Sequence, residues 1–412
     1  MNRRAVLLLL LCLVLEAGRG QILLGQNPPP PLILISFDGF RWDYRTMYSA
    51  PNINRLAAGG VSADLIPSYP SKTSPNHYSI VTGLYPGHHG IVANTIKDPP
   101  TGRRLSMSNS IENGDAMWWG GEPIWRTAQR AGQISAAMFW PGSEAPIDGH
   151  RPNFWAPFDS TLPASARVDR VLAWLDLPVS QRPAFLTLYF SDVDAAGHNN
   201  GPNSEAVRSA VRRADGYLAR LLRGLERRRL TDKVNIVIVS DHGMAETSTN
   251  RVVVLDDYIS VDDAEVIDIN PTLGLFPKAG REEAIYTALA NAHPRLKIYR
   301  KAETPESWYY RDHPRIPPIV GVVDEGWQVL PRATLRERVT RGQTGPRGEH
   351  GYDPGEAISM RGIFVASGPA FKSGVVLPAF NNVHIYDVLA QVLGLTPAKN
   401  DGDPAVAQAM LK

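Results

Sequence analysis

Apolar runs that end near an aspartate recur three times along this chain. Residues 32–37, 185–190 and 235–240 are strand-like, and Asp38, Asp194 and Asp241 follow them within four residues. Such nearly continuous apolar runs are typical of strands buried on both faces of a parallel sheet. Ligands of an open α/β sheet collect beyond the carboxyl ends of its strands, so we expect the three carboxylates to lie close together.

Helical patterns alternate with these strands. The clearest helix covers 204–230, where apolar residues recur at intervals of three and four behind a capping Asn203 or Ser204. Further elements are helices over 51–58, 123–131 and 385–393 and strands over 134–139 and 363–367. This alternation predicts an α/β fold with a central, mostly parallel sheet flanked by helices on both faces.

The N-terminal region and one irregular segment suggest how the 412 residues are organised into regions. Residues 1–20 have a basic start, a short apolar stretch and small residues after it, which predicts a secretory signal peptide. Residues 21–31 include four consecutive prolines and predict a stiff tether. We expect a single catalytic domain over 32–412, in which the irregular segment 252–342 forms a cap or insertion.

Composition narrows the partners and the location. Net charge is +2, from 43 basic and 41 acidic side chains, so no overall field selects nucleic acid or an anionic membrane. The arginines of the helix over 204–230 lie mostly off its apolar stripe, which favours a solvated face and no binding of duplex nucleic acid. The only cysteine, Cys12, lies within the signal peptide. No glycosylation sequon occurs, and we expect a periplasmic or secreted protein without a stable membrane anchor after signal cleavage.

Histidines accompany the aspartates. His198 lies four residues after Asp194, His242 follows Asp241, and His350 lies in a glycine-flanked loop. Carboxylate and imidazole together are ligands for a divalent transition metal, and zinc is the first candidate. Three carboxylates and three imidazoles are enough for two ions. Gly243 indicates a place where the backbone passes close to another group.

A polar segment over 71–77 offers a nucleophile for such a centre. The hydroxyl of Thr73 is a weak nucleophile unless a base or a metal helps to ionise it. Two ions that clamp the attacking and the departing oxygen suit in-line displacement at phosphorus. Spacing alone, however, favours a turn threonine that caps a helix beginning near Pro75.

Six segments, in order along the chain, resemble the nucleotide pyrophosphatase/phosphodiesterase family of the alkaline phosphatase superfamily. They are LISFDGFRW at 34–42, PSKTSPNHYSIVTGLYPGHHGIVAN at 70–94, WWGGEPIW at 118–125, DAAGHNNGP at 194–202, SDHGM at 240–244 and HGYD at 350–353. The resemblance runs from about residue 32 to the end. It implies an alkaline-phosphatase-like α/β sandwich, two zinc ions per chain and a covalent phosphothreonine intermediate.

Residue by residue, the resemblance makes Thr73 the nucleophile. It implies one zinc ion held by Asp194, His198 and His350, and a second held by Asp38, Asp241, His242 and the Thr73 oxygen. The family pattern gives no ligand role to His77, His88 or His89, which we expect behind the ligands or at the surface.

The substrate side departs from the family at one position. Asn94 matches the family asparagine that donates to a non-bridging phosphoryl oxygen. Ser74 stands where nucleotide-cleaving members commonly carry an aromatic residue that stacks on the base, and one stacked base is worth roughly 1 to 3 kcal/mol. Phe158 and Tyr189 are predicted to be the remaining walls, although each also fits an ordinary core position.

These residues predict a two-zinc phosphodiesterase that hydrolyses phosphodiester or pyrophosphate bonds and releases nucleoside monophosphates from nucleotides. One alternative keeps the enzyme and changes the substrate to lysophospholipid or choline-type phosphodiesters, for which Ser74 leaves room. Another is a non-catalytic, zinc-dependent binding protein, against which Thr73 and the full ligand set argue. A monoesterase is disfavoured because no arginine lies near Thr73 in the sequence to hold a dianion.

Overall fold

A computed structural model describes residues 29–412, so the predicted signal peptide, Cys12 and most of the predicted tether lie outside the described residues. The strands are β1 (Leu32–Phe37), β2 (Val61–Ile66), β3 (Thr95–Lys97), β4 (Arg104–Ser106), β5 (Ser135–Met138), β6 (Phe154–Trp155), β7 (Phe185–Phe190), β8 (Asn235–Val239), β9 (Ala245–Thr247), β10 (Val252–Val254), β11 (Ala264–Ile269), β12 (Thr272–Pro277), β13 (Leu296–Arg300), β14 (Ile319–Val323), β15 (Gln328–Leu330), β16 (Arg347–Glu349), β17 (Gly362–Ser367), β18 (Val375–Val376) and β19 (Phe380–Asn381). The α-helices are α1 (Tyr44–Met47), α2 (Pro51–Gly59), α3 (Thr73–Thr82), α4 (Pro86–His89), α5 (Ser110–Asn113), α6 (Ile124–Arg130), α7 (Ala164–Leu175), α8 (Asp192–Asn200), α9 (Glu205–Arg227), α10 (Glu282–Ala290), α11 (Arg332–Thr340), α12 (Ile385–Val392) and α13 (Pro404–Met410).

The main sheet has the strand order β18-β2-β17-β8-β1-β7-β5-β6, with β19 also paired to β2. Only β17 runs against its neighbours, β2 and β8, so the predicted mostly parallel sheet is confirmed. Strand β1 lies between β7 and β8, with Phe37 opposite Phe190 and Ser36 opposite Val239. The carboxyl ends of these three strands therefore lie side by side.

Each face of this sheet carries its own hydrophobic core. Leu32 and Leu34 of β1 pack with α3, α6 and α12 on one face, whereas Ile33, Ile35 and Phe37 pack with α2, α7 and α9 on the other. Successive side chains of a strand point to opposite faces, so an unbroken apolar run is needed to fill both cores. Burying each such side chain contributes about 1.5–3 kcal/mol.

The long helix α9 matches its sequence pattern. Ser204 is the N-cap, and its hydroxyl accepts a hydrogen bond from the Val207 amide at 3.2 Å. The apolar stripe is buried in the second core. Surface arginines pair with carboxylates of α7 and its end, Arg220 with Asp169 at 2.7 Å and Arg228 with Asp176 at 2.6 Å. The absence of duplex nucleic-acid binding stays a prediction.

The segment 252–342 forms an antiparallel sheet in the order β11-β12-β14-β13, with α10 against it. It has a core of its own, to which Leu273, Leu289 and Ile319 contribute. Its status as a cap or insertion on a single domain stays a prediction. Among residues 29–412, none of the helices combines the length and the hydropathy of a membrane-spanning segment.

Candidate metal centre

The three strand-end aspartates converge as the topology requires. Asp38 and Asp241 follow the neighbouring strands β1 and β8, and Asp194 lies in the first turn of α8, just after β7. The Asp194 amide donates to the Asp38 carbonyl at 3.1 Å. Gly39 has φ +68°, and a Cβ there would lie 2.8 Å from the Asp194 Cα. Glycine is therefore required where these two elements cross.

A second close approach explains the glycine after His242. A Cβ at Gly243 would lie 2.1 Å from the carbonyl oxygen of Ser359. The expectation that the backbone passes close to another group at Gly243 is confirmed. A side chain at this position, next to His242, would collide with the Ser359 carbonyl.

The candidate metal-ligand atoms form two neighbouring sets. In one set His198 Nε2 lies 3.3 Å from Asp194 Oδ1 and 3.1 Å from His350 Nε2. In the other His242 Nε2 lies 3.0 Å from Asp241 Oδ2 and 3.5 Å from Asp38 Oδ1. The groups whose ligand atoms all lie within 4.8 Å of one another are Asp194, His198 and His350; Asp38, Asp194 and His242; and Asp38, His77 and Asp241.

Two of the carboxylates bind a hydroxyl or backbone donor through one oxygen and turn the other oxygen toward His242. Asp38 Oδ2 accepts the Tyr189 hydroxyl at 2.6 Å, and Asp241 Oδ1 accepts the Gly39 amide at 3.3 Å. Their other oxygens, and Oδ1 of Asp194, are buried without a hydrogen-bond partner among the described residues. A buried carboxylate oxygen without a partner is costly, and divalent cations would remove that cost. The donor set therefore fits metal ions.

The three histidines of the ligand sets are also oriented to bind metal ions. Nδ1 of His198, His242 and His350 lies 3.0, 2.8 and 3.0 Å from the carbonyl oxygens of Gly348, Gly243 and Ser71. A carbonyl only accepts, so Nδ1 carries the proton and Nε2 offers its lone pair to the centre. This is the tautomer of a histidine that binds a metal through Nε2.

The pKa values of two of these histidines, His198 and His242, are raised when no metal is bound. Burial lowers the pKa of His198, but the Asp194 carboxylate more than offsets it and raises the pKa to about 9. The pKa of His242 rises to about 10 in the same way, because Asp241 outweighs burial. Burial also raises the pKa of Asp38, with Asp241 adding to the effect. Metal ions would take the place of these protons.

Thr73 faces the second ligand set. Its hydroxyl oxygen lies 3.2 Å from His242 Nε2, and its side chain is buried. Lys72, with extended backbone, is the N-cap of α3, and Thr73 is the first helical residue. The interpretation of Thr73 as a cap for a helix near Pro75 is wrong, because the helix begins at Thr73 and the hydroxyl turns into the site.

Asn94 lies beside the nucleophile candidate. Its side-chain oxygen accepts the Ser74 amide at 2.9 Å, while its Nδ2 makes no hydrogen bond within the described part of the chain. This orientation leaves an amide donor available to a ligand oxygen.

An aromatic cavity of about 280 Å³ opens next to Ser74. Tyr189 is buried in its wall, and Phe158, with 48% of its surface exposed, lies against Tyr189 with ring centroids 6.0 Å apart. Phe158 is therefore not an ordinary core residue. Sequence reasoning missed three further walls, Trp119, Phe139 and Trp140, although Trp119 lies in one of the motifs quoted above.

A polar cavity of about 360 Å³ lies on the His198 and His350 side, and Asn94 contributes to its wall. Lys72 closes part of it through an ion pair with Asp268 at 2.6 Å. This contact ties the segment 252–342 to the residue before Thr73. Neither Lys72 nor Arg338, another residue of this wall, was singled out from the sequence.

The three other histidines of the motif differ from one another. His77 is fully buried, with Nδ1 2.9 Å from the Thr73 carbonyl oxygen and 3.3 Å from Asp241 Oδ2. Donation to that carbonyl occupies the nitrogen that faces Asp241, which favours support of Asp241 over binding of an ion. His89 is buried against Ser79, and His88 pairs with Asp401 nearer the surface. The absence of ligand roles stays a prediction.

Comparison with known proteins identifies the family of this chain. Residues 32–353 match the family described as type I phosphodiesterase / nucleotide pyrophosphatase, and the chain belongs to that family. Its members are phosphoric diester hydrolases, so the predicted family and enzyme class are confirmed.

Particular relatives cover most of the chain. Human ectonucleotide pyrophosphatase/phosphodiesterase family member 5 is 35% identical over 379 residues, 92% of this chain and 77% of the human protein. The bis(5'-adenosyl)-triphosphatase of Xenopus laevis is 35% identical over 394 residues, 94% of this chain and 84% of the frog protein.

Solved structures confirm the predicted alkaline-phosphatase-like fold. The murine ectonucleotide pyrophosphatase/phosphodiesterase 5 superposes with a TM-score of 0.87 and 35% identity over 93% of this chain and 100% of the murine one. An inactive threonine-to-alanine variant of that murine protein, in complex with AMP, gives a TM-score of 0.86 and 34% identity over 92% and 99% of the two chains.

Proposed function

We propose that this chain hydrolyses phosphodiester or pyrophosphate bonds of nucleotides, with Thr73 as the nucleophile and two zinc ions per chain. Asp194, His198 and His350 would hold one ion, and Asp38, Asp241 and His242 the other, beside the Thr73 oxygen. The observation that carries the proposal is the 3.2 Å separation of Thr73 Oγ1 and His242 Nε2. It puts the hydroxyl within reach of an ion bound by the second ligand set.

The residues of the chain would then act in order. The bound cations would favour ionisation of the hydroxyl and stabilise negative charge on the departing oxygen. Thr73 Oγ1 forms a bond to phosphorus as the bond to the leaving group breaks, and Asn94 Nδ2 donates to a non-bridging oxygen. Water then cleaves the phosphothreonine and restores the hydroxyl, releasing a nucleoside monophosphate.

A nucleotide substrate is supported by the relatives and by the cavity. The frog relative is named for hydrolysis of a dinucleotide, and the murine variant binds AMP, a nucleoside monophosphate. Although Ser74 removes one aromatic wall, Trp119, Trp140 and Tyr189 surround the same cavity. A base is held by stacking on aromatic side chains, which tolerates different walls. The names of these relatives also support export from the cell, and we propose secretion with cleavage of residues 1–20.

Lysophospholipid or choline-type phosphodiesters are the second candidate substrates. Met107, at the rim of the aromatic cavity, is 47% exposed, and Ile111 on the neighbouring α5 is 82% exposed. Exposed apolar side chains beside a cavity suit an apolar substituent on the substrate.

A substrate panel decides between these functions. ATP, a dinucleoside polyphosphate, glycerophosphocholine, a lysophospholipid and a simple monoester are compared at equal concentration. We expect the two nucleotides to have the highest kcat/KM. Preference for either choline ester would overturn the nucleotide proposal.

A nucleophile variant tests whether the protein is an enzyme of this mechanism. Thr73→Ala should abolish turnover while zinc content and thermal unfolding stay as in the wild type, whereas Thr73→Ser should keep partial activity. Substantial hydrolysis by Thr73→Ala would remove Thr73 from the nucleophile role. A wild-type protein that binds zinc and nucleotide but turns over nothing would favour the non-catalytic binding protein.

A further inference from the structure

The two cavities are lined by different residues of the candidate centre. Ser74, next to Thr73, lines the aromatic cavity, whereas His198 and His350 line the polar cavity. In an in-line displacement the attacking and departing oxygens lie on opposite sides of phosphorus. The attacking oxygen of Thr73 lies beside His242, in the second ligand set. The departing oxygen would therefore lie near the other ligand set, which contains His198 and His350. The polar cavity therefore receives the leaving group.

Other charged residues of this polar cavity already have a partner, an ion pair for Lys72 and hydrogen bonds for Glu349. Lys72 Nζ lies 2.6 Å from Asp268 Oδ2. Glu349 accepts the side-chain amide of Asn270 at 2.6 Å and the His350 amide at 3.3 Å. Arg338 differs, because it forms no ion pair with any of residues 29–412.

Arg338 is also held in place. It is half-buried in the last turn of α11, and one terminal nitrogen donates to the side-chain oxygen of Gln328. Gln328 is itself buried and anchored by donation to the Ser248 carbonyl at 3.1 Å. An arginine has five N–H donors, and the rest of this guanidinium has no acceptor within the described chain. A fixed, charged fork with free donors at a cavity wall suits an anion.

We propose that Arg338 binds a phosphate group on the leaving side of the substrate. The protein would then favour substrates whose leaving group carries phosphate, such as nucleoside triphosphates and dinucleoside polyphosphates, over esters with a leaving group that lacks phosphate. Arginine binds phosphate through two parallel hydrogen bonds, which gives geometric selectivity as well as affinity. The proposal rests on the nucleotide function proposed above.

Two substrates that differ only in the leaving group test it. Thymidine 5'-triphosphate loses pyrophosphate, and the p-nitrophenyl ester of thymidine 5'-monophosphate loses p-nitrophenolate. We expect Arg338→Gln to lower kcat/KM for the triphosphate by roughly tenfold to a hundredfold, the loss of a hydrogen bond to a charged group, and for the aryl ester by less than about twofold. Arg338→Lys should keep part of the preference. Arg336→Gln, an exposed position of the same helix, is the control and should change neither substrate.

Each failure has its own signature. Equal losses on both substrates, or none on either, would overturn the role of Arg338 while leaving the nucleotide function in place. Thermal unfolding of Arg338→Gln at the wild-type temperature would show that α11 is intact. A wild-type protein that cleaves neither thymidine compound would overturn the proposed function, and the inference with it.

Discussion

The Tyr189 hydroxyl donates to Asp38 Oδ2 at 2.6 Å, so a wall residue of the aromatic cavity also holds a candidate metal ligand. Tyr189 lies on β7 and Asp38 follows β1, its neighbour in the sheet. The contact leaves only Oδ1 of Asp38 directed at the centre, without a partner in the described chain. Substrate wall and metal ligand are thus coupled through one hydrogen bond.

Removing that hydroxyl should weaken metal binding. We expect Tyr189→Phe to lower zinc affinity about 10- to 100-fold, the usual effect of losing a group that orients a metal ligand, with the fold retained. Competition with a chromophoric chelator measures the affinity. Tyr217→Phe is the matched control, because its hydroxyl donates to Asp192 at 3.1 Å, outside the ligand sets. Equal zinc affinity in wild type and Tyr189→Phe would contradict the coupling.

Metal removal should abolish activity reversibly. We expect two zinc ions per chain by elemental analysis, loss of hydrolysis after dialysis against a chelator, and recovery on addition of zinc. Asp241→Asn should lose zinc and activity together, since a neutral amide cannot replace the buried carboxylate oxygen that faces His242. One ion or none in the active protein, or indifference to chelators, would rule out the two-metal site.

Stability should depend on pH differently with and without metal. Without metal, the pKa of His198 is about 9 and that of His242 about 10, both above the unfolded value near 6.5. Groups with a raised pKa stabilise the fold fully below about pH 6.5, and this stabilisation is lost as pH rises through about 9 to 10. Metal keeps both histidines neutral at lower pH. We therefore expect the difference in unfolding temperature between zinc-loaded and metal-free protein to widen from pH 6.5 to 9.

Calorimetry gives a second measurement of the same protons. Zinc binding at pH 7.5 should release protons from His198 and His242, seen as a dependence of the binding enthalpy on the ionisation enthalpy of the buffer. A binding enthalpy that is the same in all buffers would show that the histidines are already neutral.

Phe158, the exposed wall of the aromatic cavity, should contribute to substrate binding and not to the stability of the fold. We expect Phe158→Ala to raise KM for a nucleotide roughly 5- to 150-fold, the value of one stacked base, with unfolding temperature unchanged. Phe158 is 48% exposed, so its removal leaves no deep cavity. Trp155→Ala, at 39% exposed and absent from the lining of this cavity, is the control. Similar KM values for both variants would remove Phe158 from the substrate site.

The strands and their terminal aspartates were predictable because both depend on local pattern. An apolar run long enough to be buried on both faces identifies β1, β7 and β8, and their parallel pairing then brings Asp38, Asp194 and Asp241 together. The start of α3 was not predictable in this way. Its N-cap, Lys72, contacts Asp268 and Gly351, which are far away in the sequence.

Several residues that line the two cavities were not predictable from the sequence. Trp140 and Phe139 follow β5, and Arg338 belongs to a helix with no buried residue and no clear apolar stripe. Their roles come only from what the fold brings next to them. Resemblance to the family identified Phe158 and Tyr189, which line the aromatic cavity, but it did not identify the other walls, Trp119, Phe139 and Trp140.

The candidate metal ligands are spread along the chain from Asp38 to His350. His350 comes after the segment 252–342 in the sequence, yet its Nδ1 donates to the carbonyl of Ser71. Closing loops of this length costs chain entropy before any contact is gained. We therefore expect the complete metal centre to form late in folding, after the main sheet and the second sheet. Uptake of the ions would mark the end of folding and would not guide its early steps.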